Sequence, residues 1–299
     1  MTDRHQIRLL APAKVNLGLE IVRRRPDGYH DLNTLFVALD VGDHLSLALT
    51  PDRLVHCRVR GNDSLPVDER NLAVAALVRL QHLLDLSEGF DLSIDKHLPV
   101  GGGLGGGSSD AATALRAAQR LLGPERLPLH VLHDVARSLG ADVPFFLQGG
   151  IALGRGRGDD LTPVDLVLPW TLLLVNPGLH VSTPWAFQVV GRVEGDERPA
   201  SDLEGRVRRG ITDPGEISTM VVNDFEEGVF RRYPLLADIK RELIDVGALF
   251  ALLSGSGATL FGIFPDDSSA MRGAERFSGA CWSALAHPAL PFGHGAYSS

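Results

Sequence analysis

Six glycines within seven residues form the clearest candidate for ligand binding in this sequence. They lie between Gly101 and Gly107, after Pro99 and a predicted strand, and lead through Ser108 and Ser109 into an alanine-rich helix. Glycine lets a backbone wrap closely round a ligand, and the amides at the start of a helix attract anions. The run therefore predicts a phosphate-binding loop, in which the two serines either cap the helix or bind a phosphate or its metal ion.

Two well-known phosphate-binding patterns fit this run poorly. The Walker pattern needs a lysine directly after its last glycine, and Ser108 stands there instead. The dinucleotide pattern G-x-G-x-x-G is matched by Gly101, Gly103 and Gly106, but it expects an acidic residue at the end of the next strand, about 20 residues on. That region is Gly123–Arg126, and no strand precedes it. A nicotinamide-dependent oxidoreductase is therefore a weak alternative.

Lysine is so scarce in this chain that each one becomes a candidate. Of the 29 basic residues, three are lysines, namely Lys14, Lys96 and Lys240. Lys14 opens the segment 14–21, in which polar and apolar residues alternate. This alternation predicts a half-buried strand with Lys14 and Asn16 together on one face, where both side chains could reach one site.

The elements around these residues indicate an α+β protein with an antiparallel sheet in its first half. The sequence Pro26-Asp27-Gly28 is a turn signal that places Tyr29 and His30 just beyond a hairpin. Further strand patterns lie at 45–49, at 90–94, at 171–175, on both sides of the turn Ser254–Gly257, and near the end of the chain. Helical patterns cover 69–86, 110–122, 128–138, 223–232, 235–246 and 268–277.

A change of composition around residues 158–169 divides the chain into two predicted domains, 1–162 and 163–299. Ser182 or Thr183 is the expected N-cap of a helix with Pro184 at its start. Residues 191–215 are polar, charged and contain glycine and proline, which predicts a long loop or a poorly ordered excursion.

Charge and composition exclude several classes of function. The net charge of −8 and the pI of about 5.7 argue against broad nucleic-acid binding, which needs a basic face. Cys57 and Cys281 are too far apart for a disulfide framework or a metal knuckle, and no cluster of acidic residues identifies a metal cage. No apolar run is long enough to span a membrane, and no signal peptide is evident. We expect a cytoplasmic protein that binds neither nucleic acid nor membranes.

Several segments, in order along the chain, resemble the superfamily of galactokinases, homoserine kinases, mevalonate kinases and phosphomevalonate kinases (GHMP kinases). The segments shared with the whole superfamily are Pro12–Leu17, Pro99–Ala112 and Leu253–Ala258. Those that resemble the 4-diphosphocytidyl-2-C-methyl-D-erythritol kinases within it are Arg25–His30, Gly140–Phe146, Ser182–Pro184 and Phe187. Ordered matches along most of the chain are more specific than any one of them.

The resemblance implies a two-domain α+β GHMP kinase fold, with an N-terminal domain like ribosomal protein S5 and a ferredoxin-like C-terminal domain. It also implies that ATP, accompanied by Mg²⁺, gives its γ-phosphate to the 2-hydroxyl of 4-diphosphocytidyl-2-C-methyl-D-erythritol, in the non-mevalonate route to isoprenoids. The expected partner is thus a small molecule with a cytidine diphosphate group. We expect the protein itself to be a monomer or a homodimer.

The resemblance also assigns residues. It implies that Asp142 takes the proton from the acceptor hydroxyl and that Lys14 pairs with Asp142 or holds a phosphate oxygen. The residues implied to bind ATP are Pro99, Val100, Gly101, Gly102, Gly103, Leu104, Gly105, Gly106, Gly107, Ser108, Ser109, Lys96 and Asn71. Those implied to bind the acceptor are Asn16, Tyr29, His30, Thr183, Pro184 and Phe187, and the turn Ser254–Gly257 would approach the phosphates.

Two further alternatives stay open at this point. A sister enzyme of the superfamily would accept mevalonate or homoserine, and substitutions at Tyr29, His30 and Phe187 would leave that activity intact. A ligand sensor on the same fold would bind without turnover, although the presence of both Lys14 and Asp142 speaks against it. The nicotinamide-dependent oxidoreductase named above would bind that cofactor and hydrolyse no ATP.

Overall fold

The predicted hairpin forms the centre of a six-stranded sheet in the computed structural model, which describes residues 6–191, 195–212 and 221–291. Strands β1 (Gln6–Arg24) and β2 (His30–Thr50) pair antiparallel across a tight turn. The other strands are β3 (Val55–Arg60), β4 (Gly89–Asp95), β5 (Ile151–Gly156) and β6 (Asp160–Pro163). Their order is β3-β4-β2-β5-β6, with β1 also paired to β2, and β3 runs parallel to β4.

Four helices accompany this sheet, and their apolar sides enter its core. They are α1 (Leu72–Leu84), α2 (Gly106–Leu122), α3 (Leu129–Leu139) and α4 (Val143–Gln148). Asn71 begins α1 because its side chain accepts a hydrogen bond from Ala73 N (3.0 Å). Alanines between Ala111 and Ala118 line the buried side of α2, and their small side chains allow a close approach to β1 and β2.

The second half of the chain forms a four-stranded antiparallel sheet in the order β10-β7-β9-β8. Its strands are β7 (Thr171–Asn176), β8 (Phe250–Leu253), β9 (Leu260–Phe264) and β10 (Trp282–Ala286). Among the described residues of this half, the helices are α5 (Thr183–Val190), α6 (Leu203–Thr212), α7 (Glu226–Arg232), α8 (Pro234–Asp245) and α9 (Asp267–Glu275). This strand order and the βαββαβ succession are those of a ferredoxin-like domain.

The two sheets share a core and are joined a second time near the end of the chain. Val15 and Leu17 of β1 lie in one buried cluster with Leu172 of β7 and Phe261 of β9. After β10 the chain returns to the first sheet, where the amide of Ala289 donates a hydrogen bond to Ala38 O of β2. The chain leaves the first sheet at Pro163 and enters the second at Thr171; the domain limits 1–162 and 163–299 stay a prediction.

The expectation of a half-buried strand over residues 14–21 is wrong, because β1 is buried on both faces there. Lys14 and Asn16 share a face as predicted, yet they are only 4% and 2% exposed. The alternation suggested a solvated polar face, but the second half of the molecule covers it. The Ser254–Gly257 turn lies against both side chains, so these polar groups must find partners inside the protein.

Residues 191–215 give the second correction, because part of the predicted loop is helix α6. Leu203 and Val207 of α6 are buried, and a Cβ on Gly18 of β1 would lie 3.0 Å from the Leu203 side chain. Two apolar side chains one turn apart are thus enough to dock an otherwise charged helix. Residues 192–194 and 213–215 lie outside the described residues. Across the described ranges, no helix has the length and hydrophobicity needed to cross a membrane.

Candidate active site

The glycine run is divided between a loop and the first turn of α2. The helix begins at Gly106, earlier than the predicted start at Asp110, so Ser108 and Ser109 lie inside it. Its N-cap is Gly105, whose φ of 73° suits a residue without a Cβ, and no side chain caps the helix. The prediction that a serine caps α2 is therefore wrong. The amides of this first turn carry the partial positive charge that attracts anions.

Two other motifs hold this loop in place. The amide of Lys14 donates to Leu104 O (3.0 Å), and the hydroxyl of Ser254 donates to Gly103 O (2.9 Å). A Cβ on Gly103 would lie 2.1 Å from Ser254 O, so a larger residue could not make this approach. The strand of Lys14, the glycine loop and the Ser254–Gly257 turn therefore meet at one place.

Lys14 lies at the centre of this junction. Its Nζ donates to Asn16 Oδ1 (2.6 Å), forms an ion pair with Asp142 Oδ2 (3.7 Å) and lies 5.4 Å from the centre of the Phe36 ring. Burial lowers the pKa of Lys14, and the charge of Asp142 offsets only part of that shift. The ammonium is thus held by one short hydrogen bond in a site that disfavours its charge.

Asp142 is the N-cap of helix α4, which the sequence patterns did not predict. Its side chain makes no capping hydrogen bond and is 33% exposed, whereas that of Lys14 is 5% exposed. A carboxylate that is reachable from solvent and lies beside a buried cation can accept a proton from a bound hydroxyl group. The motif Gly140–Phe146 therefore delivers a candidate base to the same junction.

Lys96 occupies a different kind of site, behind the glycine loop. Its side chain is 5% exposed, and Nζ pairs with Asp43 and with Asp110 Oδ2 (2.7 Å). Asp43 Oδ1 also accepts hydrogen bonds from the backbone amides of His97 (2.6 Å) and Leu98 (2.9 Å) at the start of the loop. Burial raises the pKa of Asp110 to about 7, while the two carboxylates together raise the pKa of Lys96 against the effect of burial. This cluster fastens the loop to β2 and α2.

Asn71 and Lys96 therefore both have structural partners, and their contact with adenosine stays a prediction. The side chain of Asn71 caps α1 and donates to Pro66 O (3.0 Å). A cavity of about 480 Å³ lies beside the start of the glycine loop. Its walls are Gly61–Asn62, Lys96–Val100, Asn176–Gly178 and Gly279–Trp282.

Aromatic rings from both halves of the molecule meet at the far end of the junction. His30 of β2 stacks on Phe187 of α5, with ring centres 4.7 Å apart and an angle of 13°, and Phe187 packs edge-on against Phe225 (4.9 Å). Tyr29 is 57% exposed, and the guanidinium of Arg157 lies 5.3 Å from its ring centre. Burial, followed by the charge of Arg24, lowers the pKa of His30, so its imidazole is neutral near pH 7.

Helix α5 connects these rings to the Ser254–Gly257 turn. Ser182, one of the two predicted caps, caps the helix, and the hydroxyls of Thr183 and Ser256 are 2.8 Å apart. Pro184 is exposed in the first turn of α5. Contacts of α5 with this turn, and of the turn with Lys14 and Asn16, therefore connect the aromatic rings to Lys14 along one surface, and substrate binding there stays a prediction.

Four buried polar residues near this surface were not singled out by the sequence patterns: Thr34, Asp43, Asp110 and Asn223. Asn223 Nδ2 donates to Leu253 O (2.7 Å) and Gly255 O (2.8 Å), which fixes the turn against β1. A signal existed for the two aspartates, because a buried lysine requires nearby carboxylates. No local spacing identifies Thr34 or Asn223, whose partners are distant in sequence.

Comparison with known proteins supports this geometry. Residues 71–150 match the GHMP kinases N terminal domain, and residues 206–282 match GHMP kinases C terminal. The chain belongs to the GHMP kinase family. ATP is the phosphoryl donor of this family, and its two-domain fold agrees with the two sheets described above.

Individual relatives define the position of the chain within the family. A 4-diphosphocytidyl-2-C-methyl-D-erythritol kinase of Prosthecochloris aestuarii is 41% identical over 275 residues, which are 91% of this chain and 94% of the relative. A crystal structure of 4-(cytidine 5'-diphospho)-2C-methyl-D-erythritol kinase has a TM-score of 0.80 and 36% identity, over 95% of this chain and all of that one. A homoserine kinase of Cytophaga hutchinsonii has a TM-score of 0.71 at 22% identity, over 97% of this chain and 96% of its own, and shows the fold alone.

Proposed function

We propose that this chain transfers the γ-phosphate of ATP to the 2-hydroxyl of 4-diphosphocytidyl-2-C-methyl-D-erythritol, a step of the non-mevalonate route to isoprenoids. The observation that carries the proposal is the meeting of the glycine loop, the Lys14–Asp142 pair and the Ser254–Gly257 turn. Relatives named for this reaction are about 40% identical over most of their length. Phosphoryl transfer needs mainly positioning and charge stabilisation, and this junction supplies both.

In this proposal Asp142 receives the proton of the acceptor hydroxyl. Its carboxylate is partly exposed, so a bound hydroxyl can reach it directly or through one water molecule. Lys14 places a positive charge 3.7 Å away, where it can hold a phosphate oxygen or the acceptor oxygen as the proton leaves. Removal of either charge should therefore lower turnover more than it lowers binding.

The glycine loop and the first turn of α2 are the proposed site for the ATP phosphates. Their amides can bind phosphate oxygens without adding net charge to the protein. Mg²⁺ would neutralise charge on the phosphates, and Ser108, half-buried in that first turn, is the hydroxyl group available to it. Within the described ranges no three His, Cys, Asp or Glu side chains cluster as a metal site.

The aromatic end of the surface is the proposed site for the cytidine diphosphate group. Tyr29, His30 and Phe187 offer flat rings for a pyrimidine, and a neutral imidazole can both donate and accept hydrogen bonds. Thr183 and the adjacent Pro184, both exposed at the start of α5, are proposed to contact this group, whereas Asn16 is 2% exposed and bonded to Lys14 and Thr34, so its contact with the acceptor stays a prediction. Monomer or homodimer state and cytoplasmic location stay predictions from the sequence.

The direct test is ADP release with Mg-ATP and 4-diphosphocytidyl-2-C-methyl-D-erythritol. The native protein should release ADP only when the acceptor is present, and Asp142→Asn should reduce kcat by about two to four orders of magnitude. Asp134→Asn is the matched control, because Asp134 is an exposed carboxylate on α3. Full turnover in Asp142→Asn would remove Asp142 as the base while leaving the kinase assignment intact.

The same assay separates the alternatives. Turnover with mevalonate or homoserine in place of the cytidine compound would assign the chain to a sister enzyme. Binding of the cytidine compound without turnover would indicate a ligand sensor. Nicotinamide binding without ATP hydrolysis would indicate an oxidoreductase.

A further inference from the structure

A chain of three buried polar side chains ends on the ammonium of Lys14. Lys14 Nζ donates to Asn16 Oδ1 (2.6 Å), Asn16 Nδ2 donates to Thr34 Oγ1 (2.8 Å), and Thr34 Oγ1 donates to Gly18 O (2.7 Å). Lys14, Asn16 and Thr34 are 4%, 2% and 0% exposed. Thr34 lies on β2, the strand paired with β1, and no motif of the sequence includes it.

The direction of every hydrogen bond in this chain is fixed by its last member. The carbonyl of Gly18 can only accept, so the single hydroxyl hydrogen of Thr34 is committed to it. The Thr34 oxygen can then only accept, and the group that it accepts from must be the amide nitrogen of Asn16. With Nδ2 directed to Thr34, the carbonyl oxygen of Asn16 faces Lys14.

A glycine bulge gives the chain its fixed end. The pairing of β1 with β2 shifts register between Asn16 and Leu19, and Gly18 has a φ of 95°. The carbonyl of Gly18 thereby accepts from a threonine side chain. A different residue at position 18 would be strained by this φ and would approach Leu203 and Val221 too closely.

We propose that Thr34 is a positioning residue for the reaction, which holds the Asn16 amide so that its oxygen, and not its NH₂ group, contacts the Lys14 ammonium. The inference rests on the proposed function, since it assumes that Lys14 acts as a cation in phosphoryl transfer. Without the Thr34 hydroxyl the NH₂ of Asn16 loses its acceptor. The amide can then rotate and present a donor to a buried cation.

The surroundings of Lys14 make this orientation matter. Within the part of the chain that the structure describes, the charged group that faces Lys14 is Asp142, from the N-terminus of α4, at 3.7 Å. Its other contacts are neutral: the Asn16 amide, the Phe36 ring and the backbone at Gly255. Burial already lowers the pKa of Lys14, so loss of the one short acceptor contact should lower that pKa further.

The experiment compares Thr34→Val with Thr34→Ser, because valine keeps the shape without the hydroxyl and serine keeps the hydroxyl. Thr34→Val should lower kcat by about tenfold or more, with little change in the KM for ATP. Its high-pH limb of kcat should move to lower pH. Thr34→Ser should keep kcat within about twofold. Thr50→Val is the matched control, since Thr50 is a buried threonine of β2 whose hydroxyl bonds to Asp52 away from the site.

A second measurement does not depend on activity. Since the chain has three lysines, NMR titration of ¹³C-labelled lysine side chains can follow Lys14, and Lys14→Met assigns its signal. We expect a lower pKa of Lys14 in Thr34→Val than in the native protein, Thr34→Ser or Thr50→Val. An unchanged Lys14 pKa in folded Thr34→Val, or an equal loss of kcat in Thr34→Val and Thr34→Ser, would overturn the proposal. Absence of turnover in the native protein would instead reject the proposed function, and the titration would still judge Thr34.

Discussion

Lys14 and Lys96 lie in the same half of the molecule and are equally buried, yet their surroundings differ in kind. Lys96 contacts two buried carboxylates, which raise its pKa. Lys14 has one short contact to a neutral amide and a looser ion pair with Asp142, and its pKa is lowered. Loss of a fully paired buried cation leaves its carboxylates buried without a partner, which destabilises the fold. An incompletely paired cation beside the proposed phosphate-binding loop keeps capacity for an incoming phosphate, and we propose the structural role for Lys96 and the chemical role for Lys14.

The largest expected effect tests whether Lys14 acts in the reaction. Lys14→Met removes the charge but keeps a long side chain, so kcat should fall by about two to four orders of magnitude while the folded protein persists. The free energy of unfolding should change little, because a poorly compensated buried charge contributes little to stability. Steady-state kinetics and urea denaturation measure the two quantities. Lys240→Met, at an ion pair with Glu226, is the control that should keep normal turnover.

The second prediction tests whether Lys96 acts in the stability of the fold. Lys96→Met leaves Asp43 and Asp110 buried without their cation, so the free energy of unfolding should fall by about 3–5 kcal/mol at pH 8. Urea denaturation of this variant beside Lys14→Met gives the comparison directly. Equal losses of stability in the two variants would show that the lysines do not have separate roles.

These two roles could be only partly predicted from the sequence. The period-two pattern placed Lys14 and Asn16 on one face, because alternation is a local property of a strand. That face is buried because the Ser254–Gly257 turn, which is far along the chain, covers it. Asp43 and Lys96 are 53 residues apart, and no local pattern reports such a pair.

Helix boundaries show the same limit. Ser182 was one of the two caps predicted for α5, because a capping side chain acts on the next few residues. The start of α2 was placed too late, since glycine disfavours helix locally while the contacts of Lys14 and Ser254 with the loop fix the actual turn. Helix α6 was missed because its segment is rich in charged residues, and two buried apolar side chains, Leu203 and Val207, dock it against the core.

The third prediction concerns the protonation of Asp110, one of the two carboxylates around Lys96. The pKa of Asp110 is about 7 in the folded protein, against an ordinary value of 3.8. Between about pH 4 and pH 7 the folded state thus binds a proton that the unfolded state has released, and stability falls as pH rises. Asp110→Asn should flatten this slope by no more than about 1.4 kcal/mol per pH unit, because one proton is involved. Urea denaturation at several pH values measures how the free energy of unfolding depends on pH. If Asp110→Asn has the same pH dependence as the native protein, Asp110 does not have a raised pKa.

The smallest expected effect concerns an exposed cluster, which tests whether burial is what makes the Lys96 cluster important for stability. His287 bridges the two halves: Nδ1 lies 2.9 Å from Asp40 Oδ2, and Nε2 lies 2.8 Å from Asp267 Oδ1. Only the imidazolium can donate from both nitrogens, and hydrogen bonds to Asp267 and then Asp40 raise the pKa of His287. Its side chain is 46% exposed, so solvent should weaken both contacts.

Because the folded pKa of His287 lies above its unfolded value of about 6.5, its contribution is fully present below that pH and is lost as pH rises through the folded pKa. His287→Gln should therefore reduce stability more at pH 5.5 than at pH 8.5, and by less than about 1 kcal/mol. Urea denaturation at both pH values, repeated at high salt, measures the difference, with His130→Gln as the exposed control. A loss as large as that of Lys96→Met would mean that the bridge between the two halves, and not burial, determines the strength of such clusters.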